Sequence, residues 1–138
     1  MCSSDLLLYV YPIHALYCLN AVTESRGIAS AVLIRAVIPT QGVELMQQRR
    51  GSALIDLARG PARLCEAFAV DRRLDGWDLT RGVRVWIEQP DAATIIDSKL
   101  TDPIITTSRR IGVTSAHDLE LRFFLKDSPY VSGRRVAQ

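Results

Sequence analysis

The chain has 138 residues, 48% hydrophobic and 23% charged with a net charge of +2, a size that fits one globular domain around a single core and excludes two. No apolar run approaches the roughly 18 residues of a membrane-spanning helix, and Asp5 stands where a signal peptide would carry a basic residue, so a soluble cytoplasmic protein is expected. The 17 basic residues include only two lysines, Lys99 and Lys126, an imbalance that suits phosphate recognition by planar guanidinium forks and is equally produced by GC-rich coding DNA.

Residues 6–11 are apolar and aromatic, residues 17–23 alternate, and residues 31–37 are apolar and β-branched around Arg35; all three are expected as strands. Turn residues at 24–27 predict an antiparallel hairpin between the second and third. Pro12 is expected to close the first strand, because it cannot donate to a central ladder. Beyond Pro39, Gly42 precedes an expected helix through Arg50, with Val43, Met46 and Arg50 on one side and Gly51 interrupting it. A second helix is expected to open at Gly60-Pro61, where proline at the first helical position loses no needed donor. Leu64, Cys65 and Phe68 form its apolar stripe, with Arg63 and Glu66 on the far side. Residues 83–87, 110–113 and 121–125 are expected as later strands, separated by polar loops containing Pro90 and Pro103.

The order strands, helices, strands predicts an α+β fold: a single mixed domain with an antiparallel, curved sheet and a few helices. Cys2, Cys18 and Cys65 are odd in number and lack CxxC or Cys/His spacing, so neither a disulfide framework nor a zinc site is supported and buried free thiols are expected.

Eight collinear blocks carry a more specific signal: YVYP at 9–12, CLNAVT at 18–23, AVLIRAVIP at 31–39, ELMQQRRG at 44–51, ARGPARL at 58–64, GWDL at 76–79, RIGVTSA at 110–116 and LRFFLKDSPYVSG at 121–133. Together and in this order the chain resembles the alkyladenine (3-methyladenine) DNA glycosylase family over residues 7–133. The resemblance implies a single-domain enzyme that uses no metal and no cofactor. Such an enzyme acts as a monomer on double-stranded DNA containing damaged purines, flips out the alkylated or deaminated base and hydrolyses its N-glycosidic bond in base excision repair. It further implies a nucleoid-associated bacterial protein.

The resemblance also distributes roles. His14 falls near the family's intercalating tyrosine, in a stretch one residue shorter than usual, and is the candidate wedge for the gap left by the flipped base. Tyr11 falls at the stacking position of the base pocket, and Asn20 where a side-chain amide reads the purine edge. Arg35 matches the arginine that holds the attacking water, and Ile111 the residue whose backbone carbonyl positions it. An arginine within an apolar run independently suggests a site, since a buried guanidinium needs partners.

The family's general-base glutamate lies before YVY, and no Glu occurs before Glu24. Glu24, Glu44, Glu66, Glu88 and Glu120 are expected as surface charges. The segment expected to carry the glutamate also carries a second stacking aromatic and a pocket histidine. Residues 1–6 match nothing in the family and read as a translated adapter end. A truncated reading frame is therefore expected, with an unpaired strand edge and an exposed core face; residues 134–138 are expected as a tail.

Without a general base, a lesion-binding protein that does not cut is the alternative, with Arg49, Arg50, Arg109 and Arg110 available to phosphates. A small interaction domain with Tyr11, Tyr17 and Trp86 as core is a further alternative that the eight blocks oppose. No facing carboxylate pair suggests a glycosidase of free sugars. His117, without a nucleophile pattern, is expected as a loop residue.

Overall fold

A computed structural model describes residues 6–93 and 104–133. The expected non-native start (apart from Leu6), the tail, Cys2, Lys99 and Pro103 lie outside the described residues. Among the described residues the fold is a small α+β arrangement of two α-helices and antiparallel strands in two sheets.

The first sheet has the order β1 (Leu8–Ile13), β2 (Leu16–Val22), β3 (Ala31–Leu33), with Leu8 opposite Ala21 and Asn20 opposite Leu33. Its faces divide by the two-residue period of a strand. Leu8, Val10, Leu19 and Ala21 point into the main core, where they meet Ala58, Leu64, Cys65, Val70, Leu74 and Leu79. Tyr9, Tyr11, Cys18 and Asn20 share the opposite face through the cross-strand pairs Tyr9 with Asn20 and Tyr11 with Cys18.

Pro12 does not close β1 but lies inside it, opposite Tyr17. The reason is parity. The amides of Leu8 and Val10 point away from β2, to the Trp77 carbonyl and the Asp75 carboxylate. Pro12 lies on that same outer edge, where its missing N–H costs no ladder bond. The hairpin expected between the second and third strands forms, but β3 ends at Leu33 rather than residue 37. After the Ile34 amide bonds the Leu19 carbonyl, the chain leaves β2 and bridges through Ala36 to Arg59, with the Val37 amide on the Ala58 carbonyl. Arg35 sits at this departure and not in mid-strand.

Helix α1 (Val43–Arg50) ends where Gly51 adopts a left-handed conformation and its amide caps the Gln47 carbonyl at 2.7 Å. Met46 packs with Leu57, Ala67 and Val43 in a second, smaller core. Helix α2 (Pro61–Ala67) has Pro61 in its first turn. Its buried residues are Leu64, Cys65 and Ala67; Phe68, expected in the stripe, is 44% exposed because the helix ends there. Arg63 pairs with Asp56 at 3.1 Å and Arg50 pairs with Glu66.

The second sheet pairs β4 (Ile105–Ser108) with β5 (Arg122–Leu125), Ser108 lying opposite Arg122. Strand β5 is where the sequence placed it, whereas β4 occupies a stretch expected as loop. Residues 83–87 and 110–113 form no strand. Arg84 and Gly112 both have positive φ, which breaks the extended run, and the Val83 carbonyl is taken by the Trp77 indole N–H. Trp86, placed in the core by the interaction-domain alternative, is 45% exposed. Cys18 and Cys65 are buried free thiols. Among the described residues no helix is long and apolar enough to cross a membrane.

Candidate active site

A cleft of about 810 Å³ lies where the polar face of the first sheet meets β5 and the loops after β4 and β5. Tyr11, Asn20, Arg35 and Ile111 all line it, although 100 residues of sequence separate the first from the last. Each arrives by a different local device.

Tyr11 and Asn20 are carried in by strand parity on β1 and β2. The Tyr11 ring stands 5.3 Å from that of Tyr9, tilted by 31°. Burial, and then the adjacent Cys18 thiol, push the Tyr11 phenol above its ordinary value, so it stays a neutral ring and hydroxyl. Asn20 is 6% exposed, and its amide Nδ2 donates to the Tyr9 carbonyl at 3.1 Å. That bond uses one of the two N–H donors and fixes the amide plane. One N–H and the Oδ1 acceptor remain for a ligand edge.

Arg35 lines the cleft where the chain departs from β2, and its Nε is buried without a partner among the described residues. Ile111 is brought in by the loop after β4, where Gly112 has φ +73°. The Ile111 side chain rests against Gly133, so closely that a Cβ at residue 133 would collide with it. The loop is held by the Arg110 guanidinium on the Ser115 carbonyl and by the His117 ring on the Thr114 carbonyl. His117 is thus a loop residue, as expected.

His14 does not line the cleft. It occupies the exposed tip of the β1–β2 hairpin, a two-residue turn in which His14 and Ala15 have φ +47° and +66°. Positive φ at both positions is the type I′ turn that matches strand twist. The sequence carries no Asn-Gly signal there, which is why this hairpin was not legible.

Sequence reasoning overlooked Arg122, although an arginine in the apolar run LRFFL is the same signal that singled out Arg35. Arg122 is 8% exposed and donates to the Ser108 hydroxyl at 3.1 Å and the Ser132 carbonyl at 2.6 Å, with its guanidinium 4.4 Å from the Phe124 ring centre. Burial, and then the Arg35 charge, pull its pKa down. Arg49 and Arg50, candidates for phosphate contact, are instead engaged in packing: Arg49 donates to the Ala67 carbonyl at 2.8 Å and Arg50 pairs with Glu66. Glu24, Glu44, Glu66, Glu88 and Glu120 are all exposed, and no carboxylate lines the cleft among the described residues. The described residues also hold no group of three metal-ligating side chains.

A profile of the methylpurine-DNA glycosylase family matches residues 1–129. The chain belongs to that family. It is 46% identical over 132 residues to a protein of Rhodopirellula baltica, covering 91% of this chain and 54% of the relative. A protein of Methanoculleus marisnigri is 41% identical over 131 residues, covering 91% of this chain and 64% of the relative. One from Rubrobacter xylanophilus is 39% identical over 135 residues, covering 95% and 65%. All three are provisionally named 3-methyladenine DNA glycosylases. The chain thus spans between about half and two-thirds of the length of these relatives.

Proposed function

We propose that the protein recognises alkylated or deaminated purines in duplex DNA and that the cleft receives the flipped base for hydrolysis of its N-glycosidic bond. The observation that carries this reading is the convergence of Tyr11, Asn20, Arg35 and Ile111 on one cleft of about 810 Å³. Tyr11 supplies a π face for the purine, and Asn20 offers one donor and one acceptor to its edge in a fixed orientation. As the base departs, positive charge develops on the sugar and a water attacks its anomeric carbon. An Arg35 N–H donates a hydrogen bond to that water's oxygen and the Ile111 carbonyl accepts a hydrogen bond from one of its O–H groups, which aims the remaining lone pair; the electron pair of the broken C1′–N bond leaves with the purine, which takes up the proton the water sheds. Arg35 cannot act as the base because it keeps its own proton. His14, on an exposed hairpin tip, fills the stack that the base vacates.

A second reading, lesion binding without excision, is favoured by one observation: no carboxylate lines the cleft among the described residues. A general base contributes about 10²- to 10⁴-fold in rate. A duplex containing hypoxanthine separates the readings when base release and duplex retention are measured together. Release supports excision, whereas retention of the hypoxanthine duplex over its undamaged counterpart without release supports the second reading. Equal retention of both duplexes with no release would overturn both.

A further inference from the structure

The two sheets treat their outer edges differently. On β1 the edge is occupied: the Leu8 and Val10 amides meet the Trp77 carbonyl and the Asp75 carboxylate, and Pro12 has no N–H to offer there. On β4 the edge is open. The Lys126 amide bonds the Ile104 carbonyl at 2.8 Å, and the register continues through Thr106 opposite Phe124 and Ser108 opposite Arg122. By the alternation of an antiparallel ladder, Thr106 and Ser108 therefore exchange hydrogen bonds with β5, and Ile105 and Thr107 turn their N–H and C=O groups outward. No backbone group meets them there among the described residues. Strand β4, with the sequence ITTS, carries no charge, proline or bulge, the devices that keep such an edge from pairing. An apolar face adjoins it, because Ile105 and Phe123 point to the same side of the sheet and are each 67% exposed.

We infer that β4 is a dimerisation edge that takes the β4 strand of a second copy of this chain in antiparallel pairing. An open antiparallel edge is complementary to itself, since a two-fold axis brings the same donors and acceptors together in reverse order. With the axis at Thr106, Ile105 of one copy lies opposite Thr107 of the other, and each such pair exchanges both of its N–H to C=O bonds. This register uses both outward-facing residues. The uncharged strand brings no like charges together at the axis, and the Ile105 and Phe123 side chains of both copies share one face, so apolar surface leaves water as the backbone groups pair. Strand β4 contributes nothing to the cleft lining, so the pairing does not consume the cleft. The inference stands apart from the proposed function and replaces the monomer that the family resemblance implies.

A four-residue edge is small for an interface, so a Kd of roughly 10–100 µM is expected. Sedimentation velocity of the protein should show monomer at about 1 µM and dimer at about 300 µM. Thr107→Pro removes an outward N–H and spares the β4–β5 ladder, as Pro12 spares that of β1. It should weaken association at least about tenfold while keeping the native circular dichroism. Ile105→Lys, which places a charge on the edge, should have the same effect and serves as the second variant should the first fail to fold. Amide exchange reads the edge itself: protection at Ile105 and Thr107 should rise with protein concentration, whereas Thr106 and Ser108, already bonded to β5, should be protected at both concentrations. A protein that stays monomeric at the higher concentration overturns the inference. So does association that both variants leave unchanged, concentration-independent exchange at Ile105 and Thr107, or assembly that continues beyond two copies.

Discussion

Asn20 shows how a single buried side chain serves packing and recognition together. Its amide bonds the backbone of the neighbouring strand, which removes the freedom to flip and leaves a fixed donor and acceptor facing the cleft. Asn20→Ala is expected to cost about 1 kcal/mol of stability by deleting the side-chain hydrogen bond to the Tyr9 carbonyl. It should also lower the preference for a hypoxanthine duplex by about tenfold, which competition binding against undamaged DNA would read. Cys65 gives a pH signature at the same scale. Burial, and then the nearby Cys18, push its thiol up to about 11. Between the unfolded thiol value of about 8.5 and that figure, the unfolded chain has released a proton that the folded protein retains. Stability should therefore fall as pH rises through this window and level off above it, with the raised Tyr11 phenol adding to the fall at its upper end. Urea unfolding at stepped alkaline pH would show a steeper decline for the unsubstituted protein than for Cys65→Ala.

The elements are held by local devices of different legibility. Helix α1 stops at a glycine whose left-handed conformation lets its amide reach back to Gln47, and helix α2 begins on a proline that has no donor to lose. Both were readable because glycine and proline act through their own backbone restrictions. The β1–β2 turn is different, because His14 and Ala15 adopt positive φ without being glycine or asparagine, at a cost to an L-residue. Ala15→Gly is expected to stabilise the protein by about 0.5–1 kcal/mol, seen as a raised urea midpoint at unchanged slope. Because the substitution leaves the imidazole in place, lesion binding should persist. His14→Ala, by contrast, should weaken lesion-duplex binding without lowering the thermal midpoint, since the side chain is exposed.

Across the whole molecule, one face of the first sheet is committed to a core with α2 and residues 70–79, while the other looks into the cleft. Leu64 belongs to the first side and is 2% exposed. Leu64→Ala should cost about 2–5 kcal/mol, a large share of the stability of a domain this small, and would lower the thermal midpoint sharply. The cleft side is built from residues that the chain supplies far apart, so its integrity depends on β5 and the Ile111 loop staying seated. Arg122 ties these pieces together through Ser108 and Ser132.

The sequence by itself determined the α+β class, both helices, the paired second and third strands, the buried thiols and the family, because period, capping residues and ordered blocks are local properties of the chain. It did not reveal the end of β3, the positive-φ hairpin tip, β4 in a polar stretch or the irregular course of residues 83–87. Each of these is set by partners distant in sequence: Ala58 and Arg59 draw residues 36 and 37 off the sheet, and Trp77 takes the carbonyl of Val83. The site divides in the same way. Tyr11, Asn20, Arg35 and Ile111 were named from the chain, but that they share one cleft, that His14 stands outside it, and that Arg122 joins them in lining it are decided only by tertiary structure. Convergence of residues 11, 35 and 111 on one cleft is a product of folding, and no local pattern encodes it.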